Sequence, residues 1–537
     1  MTTIDTPVLI VGAGPVGLAL AGDLGARGVP CIVVEQGEGT PEHPRASALN
    51  ARSMEFMRRW GLADRIREIG TPPDFPHTAL YCTTLAGFEI ARIERPTHGG
   101  VTPSATSPER PQRCNQLWLD PLLTERAKSF SCVELRYRQR FERFTEEADC
   151  VVTTVHDLAN DERREIRARY VADCSGGRSP IRQQLGIPMS GSSYIGYFLS
   201  IFVEAPELWN HHAMGKAALI AFVDAKGLWR NLVSLNGRGM YRFGVSGKEF
   251  FDEPDKIDAE MHFRECIGKD VPHKILSIRR WTARNVVAER YRDGRMLLAG
   301  DAAHLNHPAA GLGLNTGLGD AVDLGWKLAA MHEGWGGPEL LATYEAERQP
   351  VGIRNVGHAD TSHAGDRQQT PGPQVAEDSP EGARQRTTLG ESIMESQTRK
   401  VITDGLALGY RYDRSPIVWP DGSPAPDNSV SDYRPTARPG SRAPHAWIAE
   451  GRSTIDLFGN GFVLLRLGAN PPAADAIEGA FRKQSVPLSV ETIGNPEIAA
   501  LYETSLVLVR PDGHVAWRGN AGPADPKGLV DRVRGAK

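Results

Sequence analysis

Apolar positions near the start of the chain come in two unbroken runs, Val8, Leu9, Ile10 and Val11 and then Cys31, Ile32, Val33 and Val34. Between them, residues 18–27 carry apolar side chains at helical spacing. Short β-branched runs of this kind predict strands buried on both faces, so the opening reads as strand, helix, strand. The pattern changes over residues 75–95 and 196–282, where apolar and polar positions alternate, as in the segment from Tyr197 to Val203 and in the run that opens at Trp229 and Arg230. Alternation predicts a half-buried, mainly antiparallel sheet. Helical spacing returns over 317–331 and 339–360. A polar stretch with Pro and Gly, 366–386, then predicts a mobile connection, and a second loop-rich segment covers 420–444. The tail alternates strands and helices over 453–457, 462–467, 473–484 and 490–494, and ends in a hairpin from Leu506 to Trp517 turned by Pro511, Asp512 and Gly513.

The chain has 537 residues, 40% hydrophobic and 24% charged, enough for two or three cores. Its formal net charge of -4 is spread without a basic stripe, which argues against a nucleic-acid partner. No leader-like start and no stretch near about 18 consecutive apolar residues is present, so neither secretion nor a membrane span is expected. Seven cysteines without close pairing fit buried thiols in a reducing cytoplasm; they suggest neither disulfides nor a metal site.

The first strand runs into Gly12, Ala13, Gly14, Pro15, Val16 and Gly17. The glycines serve different ends, Gly12 the tight turn, Gly14 backbone approach to a pyrophosphate, and Gly17 close helix–strand packing. The helix N-terminus then faces the phosphates. Glu35, with Gln36 beside it, closes the second strand near the roughly 20-residue offset at which a carboxylate holds the ribose hydroxyls of a dinucleotide. The motif leaves FAD and NAD both open.

A second glycine-rich run contains Gly300, Asp301, His304, His307, Pro308, Gly311, Leu312, Gly313, Leu314 and Asn315, followed by Gly317, Asp320 and Asp323. A strand ending in Gly-Asp and a glycine loop entering a helix aim a helix N-terminus at whatever the loop cradles. This run resembles the second FAD fingerprint of the class A flavoprotein aromatic hydroxylases, the group of para-hydroxybenzoate and phenol hydroxylases. The resemblance implies a ribityl contact for Asp301, ring contact for Pro308, and a pyrimidine edge lined by residues 311–315. Two further stretches resemble the family: one with Pro44 and Arg45, implying an FAD pyrophosphate contact for Arg45, and one from Arg113 that implies a flavin-chain contact for Gln116. The third family motif is altered, with Ser175 before Gly176 where the family has Asp. A hydroxyl keeps hydrogen-bonding capacity but lacks the charge, which Asp173 could supply if it faces the same way.

The resemblance implies an α/β fold: a Rossmann-like FAD-binding domain (1–73, 100–190 and 283–365), an inserted, mainly antiparallel β-sheet substrate domain (74–99 and 191–282), a helical or loop connection (366–435) and a thioredoxin-like C-terminal domain (436–537). The last has no redox cysteines, since none follows Cys266. It implies an FAD-dependent monooxygenase that takes hydride from NADPH or NADH and uses O2 to hydroxylate a small phenolic compound through a flavin C4a-hydroperoxide. A cytoplasmic homodimer is the expected state. Pro308 beside the ring, and His304 and His307 as groups that could draw off a phenolic proton, are the catalytic candidates; Arg230 and Tyr241 on the sheet are further positions. Two alternatives remain at this point: a Baeyer-Villiger or oxidase-type flavoenzyme acting on an aromatic polyketide, and a non-catalytic flavin-binding scaffold.

Overall fold

The computed structural model describes residues 4–536 apart from 40, 98, 101–103, 249–251, 253–256, 309–310, 368–370 and 399–402. The first sheet has eight strands: five run parallel, in the order Met296–Leu298, Glu162–Asp173, Thr6–Val11, Cys31–Glu35 and Val133–Tyr137, and Arg292–Asp293, Val151–Asp157 and Gln139–Glu146 join it by antiparallel pairing. The unbroken apolar runs of the sequence become two of its inner strands, covered on both faces. The helices Pro15–Ala26, Gln116–Lys128 and Gly313–Glu333 pack together on one side. All five strands end on the same edge, where open parallel sheets bind their ligands.

The second sheet has eight strands, antiparallel except where Ala79–Cys82 runs parallel to Leu219–Asp224. Two long strands, Met189–Glu204 and Lys274–Ala288, carry the chain from the first sheet into the second. Gly191 pairs with Val286 across them: its φ is +123°, and a Cβ there would strike the Asn285 carbonyl oxygen. One face of the sheet buries Leu199, Ile201, Val203 and Phe243 against Phe263 of the helix Ala259–Ile267. The other face looks toward the first sheet, and its far end is covered by Leu389 and Ile393 of the helix Pro380–Thr398.

That helix corrects one expectation. The stretch 366–386 is no bare connection: the helix Ala342–Arg367 runs into its start and Pro380–Thr398 begins inside it. The local sequence is polar, but Arg386 donates to the carbonyls of Val375 and Glu377 and stacks 3.9 Å above Phe88, so tertiary contacts outweigh weak local preference. A second difference lies at 453–457, where Thr454–Leu457 is a 3-10 turn. Ser453 and Asp456 form a reciprocal capping box there, which gives the backbone a better partner than a strand would. The strand–helix alternation begins instead at Phe462–Leu467.

The C-terminal unit runs strand, helix, strand, helix, strand, strand, helix, with sheet order Leu488–Ile493, Phe462–Leu467, Leu506–Val509, Val515–Gly519. The first pair is parallel and the other two are antiparallel. Its hairpin turn docks on the first unit, where Arg510 Nη2 reaches Glu347 Oε2 at 2.8 Å and Arg52 Nη2 donates to the Asp512 carbonyl at 2.7 Å. Asp323, Glu347 and Asp512 converge there, but Lys327 and Arg510 lie between them, so the cluster is an ion-pair network.

Candidate active site

The first glycine turn has the steric logic its sequence predicts. Gly12 has φ +106°, and a Cβ on it would meet the Cys174 carbonyl oxygen at 2.5 Å; a Cβ on Gly17 would collide with the Gly12 oxygen. Gly14 differs, because a Cβ there finds no protein atom within 4 Å. Its surroundings are open on the side where a pyrophosphate would approach. Pro15 opens the helix, and no side chain caps that helix's first amides. Val16 is the spacer under Gly300 and Gly317: added Cβ atoms on these glycines would come within 2.9 and 2.5 Å of its Cγ2. The Glu35 carboxylate accepts from Ala13 N at 2.9 Å and Gly37 N at 2.7 Å, which fixes it at the end of its strand; Gln36 is exposed beside it.

The second motif rests on a buried charge network. Asp320 accepts from His304 Nε2 at 2.7 Å, from Arg348 Nε at 2.8 Å and from Gly300 N at 3.1 Å. Burial alone would raise its pKa, but His304 and Arg348 together hold it below the ordinary carboxylate range. His304 is fully buried in this contact, so it anchors the motif's turn and does not face the cleft. Asp301 is the opposite case, a residue open to the cleft whose carboxyl is desolvated by the walls around it, which raises its pKa. It lies close to Gly313, in the first turn of the helix Gly313–Glu333, which also lacks a side-chain cap. Asn315 has all its capacity used: it accepts from Asn50 N and Ser53 Oγ and donates to the Ala48 and Gly311 carbonyls. It ties the glycine loop to the segment that carries Arg45. Leu312 and Leu314 are buried beneath the loop, and Pro308, exposed at its start, accepts from Gly311 N at 3.0 Å.

Arg45 is exposed, and the chain just after it is held by a mutual pair: Ala46 N donates to Gln116 Oε1, and Gln116 N to the Ala46 carbonyl, each at 3.0 Å. The altered third motif also finds an explanation. The Asp173 carboxylate is buried at the end of its strand and accepts from Ser175 N at 3.0 Å, Ser175 Oγ at 2.5 Å and Ser179 Oγ. Ser175 therefore pairs with the acid two residues earlier, and Gly176, at φ +89°, leaves the turn open on its outer side.

His307 sits where the two sheets meet. Asn285, fully buried, accepts from its backbone N at 2.5 Å, and its ring lies 5.7 Å from Phe198 and 6.5 Å from Trp281, which stack on each other at 4.6 Å. Phe198 and Trp281 thus form an aromatic wall that meets the second loop at His307. Arg230 and Tyr241 are not part of it. Arg230 pairs with Glu265, and Tyr241 packs on Trp209, both on the sheet face under the helix Ala259–Ile267, because strand alternation sends them to that side. Several site residues were not singled out in the sequence. Asn115 caps the Gln116 helix and holds the Arg45 carbonyl at 3.2 Å; Asn285 fixes His307. Asp120 is buried beside Gln116 with its pKa pushed up to about 7 by burial. The S/T/N/D cap rule could have found Asn115, but the other two depend on tertiary packing.

Two uncapped helix N-termini, an open glycine position and an open carboxylate below an aromatic wall form a cleft that suits a flavin dinucleotide with a flat substrate above it. Fold and site define a dinucleotide-dependent oxidoreductase. The FAD binding domain family matches residues 5–359, and the family of aromatic-ring hydroxylase C-terminal domains matches 436–536. The chain is 32% identical to tetracenomycin B2 monooxygenase-dioxygenase of Streptomyces olivaceus over 99% of this chain and 98% of that one. It is 30% identical to 2,4-dichlorophenol 6-monooxygenase of Delftia acidovorans, over 96% and 95%. Among solved structures, the rebeccamycin biosynthetic enzyme RebC with reduced flavin superposes with a TM-score of 0.92 at 42% identity, and the flavin-dependent monooxygenase PieE in complex with FAD and substrate with 0.89 at 32%; both alignments cover 100% of each chain. The chain belongs to the FAD-dependent aromatic-ring hydroxylases, and it is an FAD-dependent monooxygenase that acts on an aromatic compound.

Proposed function

We propose that this enzyme uses NADH or NADPH as hydride donor and O2 as co-substrate to hydroxylate a phenolic ring, releasing the hydroxylated product, oxidised nicotinamide and water. The observation that carries this reading is the meeting of the second glycine loop, with Asp301 exposed on it, and the stacked pair Phe198 and Trp281, which His307 of that loop touches. FAD, when bound, supplies the two-electron chemistry and the activation of oxygen; the protein supplies position and charge. Gly12, Gly14, Pro15, Val16 and Gly17, with Arg45, Ser175 and Gly176, would receive the pyrophosphate, Glu35 and Gln36 the adenosine ribose, and Gln116 the flavin chain. Gly300 and Asp301 would hold the ribityl side. Pro308 and residues 311–315 would border the ring, with the helix dipole of Gly313–Glu333 favouring negative charge at its pyrimidine edge. The aromatic wall excludes water from the reacting carbon.

His307 is the better candidate for contact with the phenol, since His304 is committed to Asp320. Relatives named as polyketide hydroxylases support a second substrate size, an aromatic polyketide in the same cleft. The strand order of the tail supports a thioredoxin-like domain, and the residue partition given by the motifs supports three domains. The seven free thiols support a cytoplasmic setting. Among the described residues no helix is long and apolar enough to cross a membrane. A homodimer is the proposed assembly, to be read from sedimentation of the FAD-loaded protein. The activity itself is tested by oxidation of NADH and of NADPH across phenols and small aromatic polyketides, with product mass recorded.

A further inference from the structure

Asp120 stands one helical turn beyond Gln116 on the helix Gln116–Lys128, so the two side chains share a face. It is 5% exposed. Its Oδ2 accepts from Gln116 Nε2 at 3.3 Å, while its Oδ1 accepts nothing. Among the described residues it has no ion-pair partner. Other buried carboxylates of the first unit are treated differently: Glu55 pairs with Arg52 and Arg442, Asp320 with Arg348, and Asp323 with Lys327. Charges on the elements packed against its helix are engaged elsewhere. Asp23 is paired with Arg27, Arg136 with Glu134, and Tyr137 lies 5.5 Å from Lys128. The Cys114 thiol, pushed up to about 12 by burial and then by Asp120, carries no charge at neutral pH. Arg45, exposed, is the cation that acts on Asp120. Burial pushes the Asp120 carboxyl up to about 7, against a smaller downward pull from Gln116 and Arg45.

Two neighbours fix the direction of the Gln116 amide: Oε1 accepts from Ala46 N, and Nε2 donates to Asp120, which leaves one Nε2 hydrogen for a ligand. A proton on Asp120 Oδ1 would keep Oδ2 as that acceptor, so the amide stays oriented while the negative charge leaves the site. The charge matters because a pyrophosphate is itself anionic and would draw on Arg45, the cation that supports the ionised form of Asp120. In an enclosed site the added repulsion is felt strongly.

We propose that Asp120 is a positioning residue of the flavin site: it orients the Gln116 amide toward the cofactor and takes up one proton on Oδ1 when FAD binds. The proton comes from solvent and returns to it when FAD leaves. This proposal rests on the reading that Arg45 meets the pyrophosphate and Gln116 the flavin chain. Bound FAD raises the Asp120 pKa above its value in the FAD-free protein, so the protonated form binds FAD more tightly. FAD affinity is therefore full below about pH 7 and falls as pH rises from there toward the raised value.

The test dilutes the FAD-loaded, full-length protein into buffers from about pH 5.5 to about pH 9 and reads free flavin by its fluorescence. Wild type is expected to hold FAD roughly tenfold or more weakly at the alkaline end, and D120N to lose most of that difference and stay near the acid-end affinity of wild type. Asp301 and Asp173, which burial also raises, are unchanged in D120N, so the dependence that disappears belongs to Asp120. Calorimetry of FAD binding at about pH 7.5, in two buffers of different ionisation enthalpy, reads the proton directly. Uptake approaching one proton by wild type, and less by D120N, is expected. No uptake by wild type overturns the proposal whether or not D120N folds, and so does a D120N profile as steep as that of wild type. R45Q should weaken FAD at every pH. If it binds FAD as wild type does, the placing of the pyrophosphate at Arg45 is wrong, while a pH dependence lost in D120N would still support proton uptake at Asp120. If R45Q weakens FAD and D120N keeps the wild-type dependence, the reading of the site stands and the proposal falls.

Discussion

Gly14 and Gly17 stand one helical turn apart, yet they should fail in different ways when given a methyl group. At Gly14 the methyl meets only open space, so G14A should keep the melting temperature of the FAD-free protein and lose FAD affinity roughly tenfold or more, measured by flavin fluorescence titration. At Gly17 it strikes the Gly12 backbone, so G17A should destabilise the protein itself by about 1–3 kcal/mol or more in denaturant melts. If the two variants behaved alike, the separate roles of these glycines would be wrong. His304 gives a second test. Because its Nε2 is held by Asp320 in a fully buried site, H304Q should lower stability by about 1–3 kcal/mol and leave the pH profile of turnover unshifted. A lost alkaline or acid limb would instead make His304 a proton carrier. The glycines were legible in the sequence because their roles follow from backbone sterics at fixed spacing. Asp320 as the partner of His304, and Ser175 as the partner of Asp173, were not: each depends on which way a side chain leaves a strand or turn.

Among the elements, the helix Ala51–Arg59 is bolted to the C-terminal segment through Glu55. Arg442 binds its carboxylate with both Nε, at 3.0 Å, and Nη2; Arg52 Nη1 adds 2.8 Å and Ser107 Oγ 2.6 Å. Burial pushes the Glu55 pKa up, but Arg442 and then Arg52 overcome this and hold it at about 2, against an ordinary value of 4.5. A depressed carboxylate stabilises the fold fully above its unfolded pKa and loses that contribution as pH falls through the folded one. Glu55 should thus contribute about 3 kcal/mol above pH 4.5 that disappears toward pH 2. E55Q should cost about 3–5 kcal/mol at neutral pH, because two arginines are left buried without their anion, and should flatten the acid limb of a stability profile. An acid limb identical to wild type would contradict the pairing. Elements with strong periodicity were legible, as the first strands and the helix entered at Gly313 illustrate. The helix Pro380–Thr398 was not, since its hold on the second sheet comes from Leu389, Ile393 and Arg386 meeting residues distant in sequence.

For the molecule as a whole, the hairpin turn around Asp512 joins the tail to the helices that carry the glycine loop. Arg510 is fully buried between Glu347, Asp323 and Asp512, and Lys327 supplies the second cation. R510A should cost about 3–5 kcal/mol, and, because Asp323 and Lys327 lie on the helix Gly313–Glu333, it should also loosen FAD; both are read by following melting and flavin release together. Melting without earlier flavin release would separate the tail from the site. The turn was legible in Pro511, Asp512 and Gly513, but its role as the docking point was not, because the charges it meets lie far away in the chain. The hydroxylation proposed for the region where the glycine loop meets the aromatic wall is what would tie these parts together. The decisive experiment incubates the FAD-loaded protein with NADH or NADPH and a panel of phenols and aromatic acids while O2 uptake and product mass are recorded. Substrate-stimulated nicotinamide oxidation matched by a product heavier by one oxygen atom is expected; stimulation that yields only peroxide, or none with any member of the panel, would contradict it.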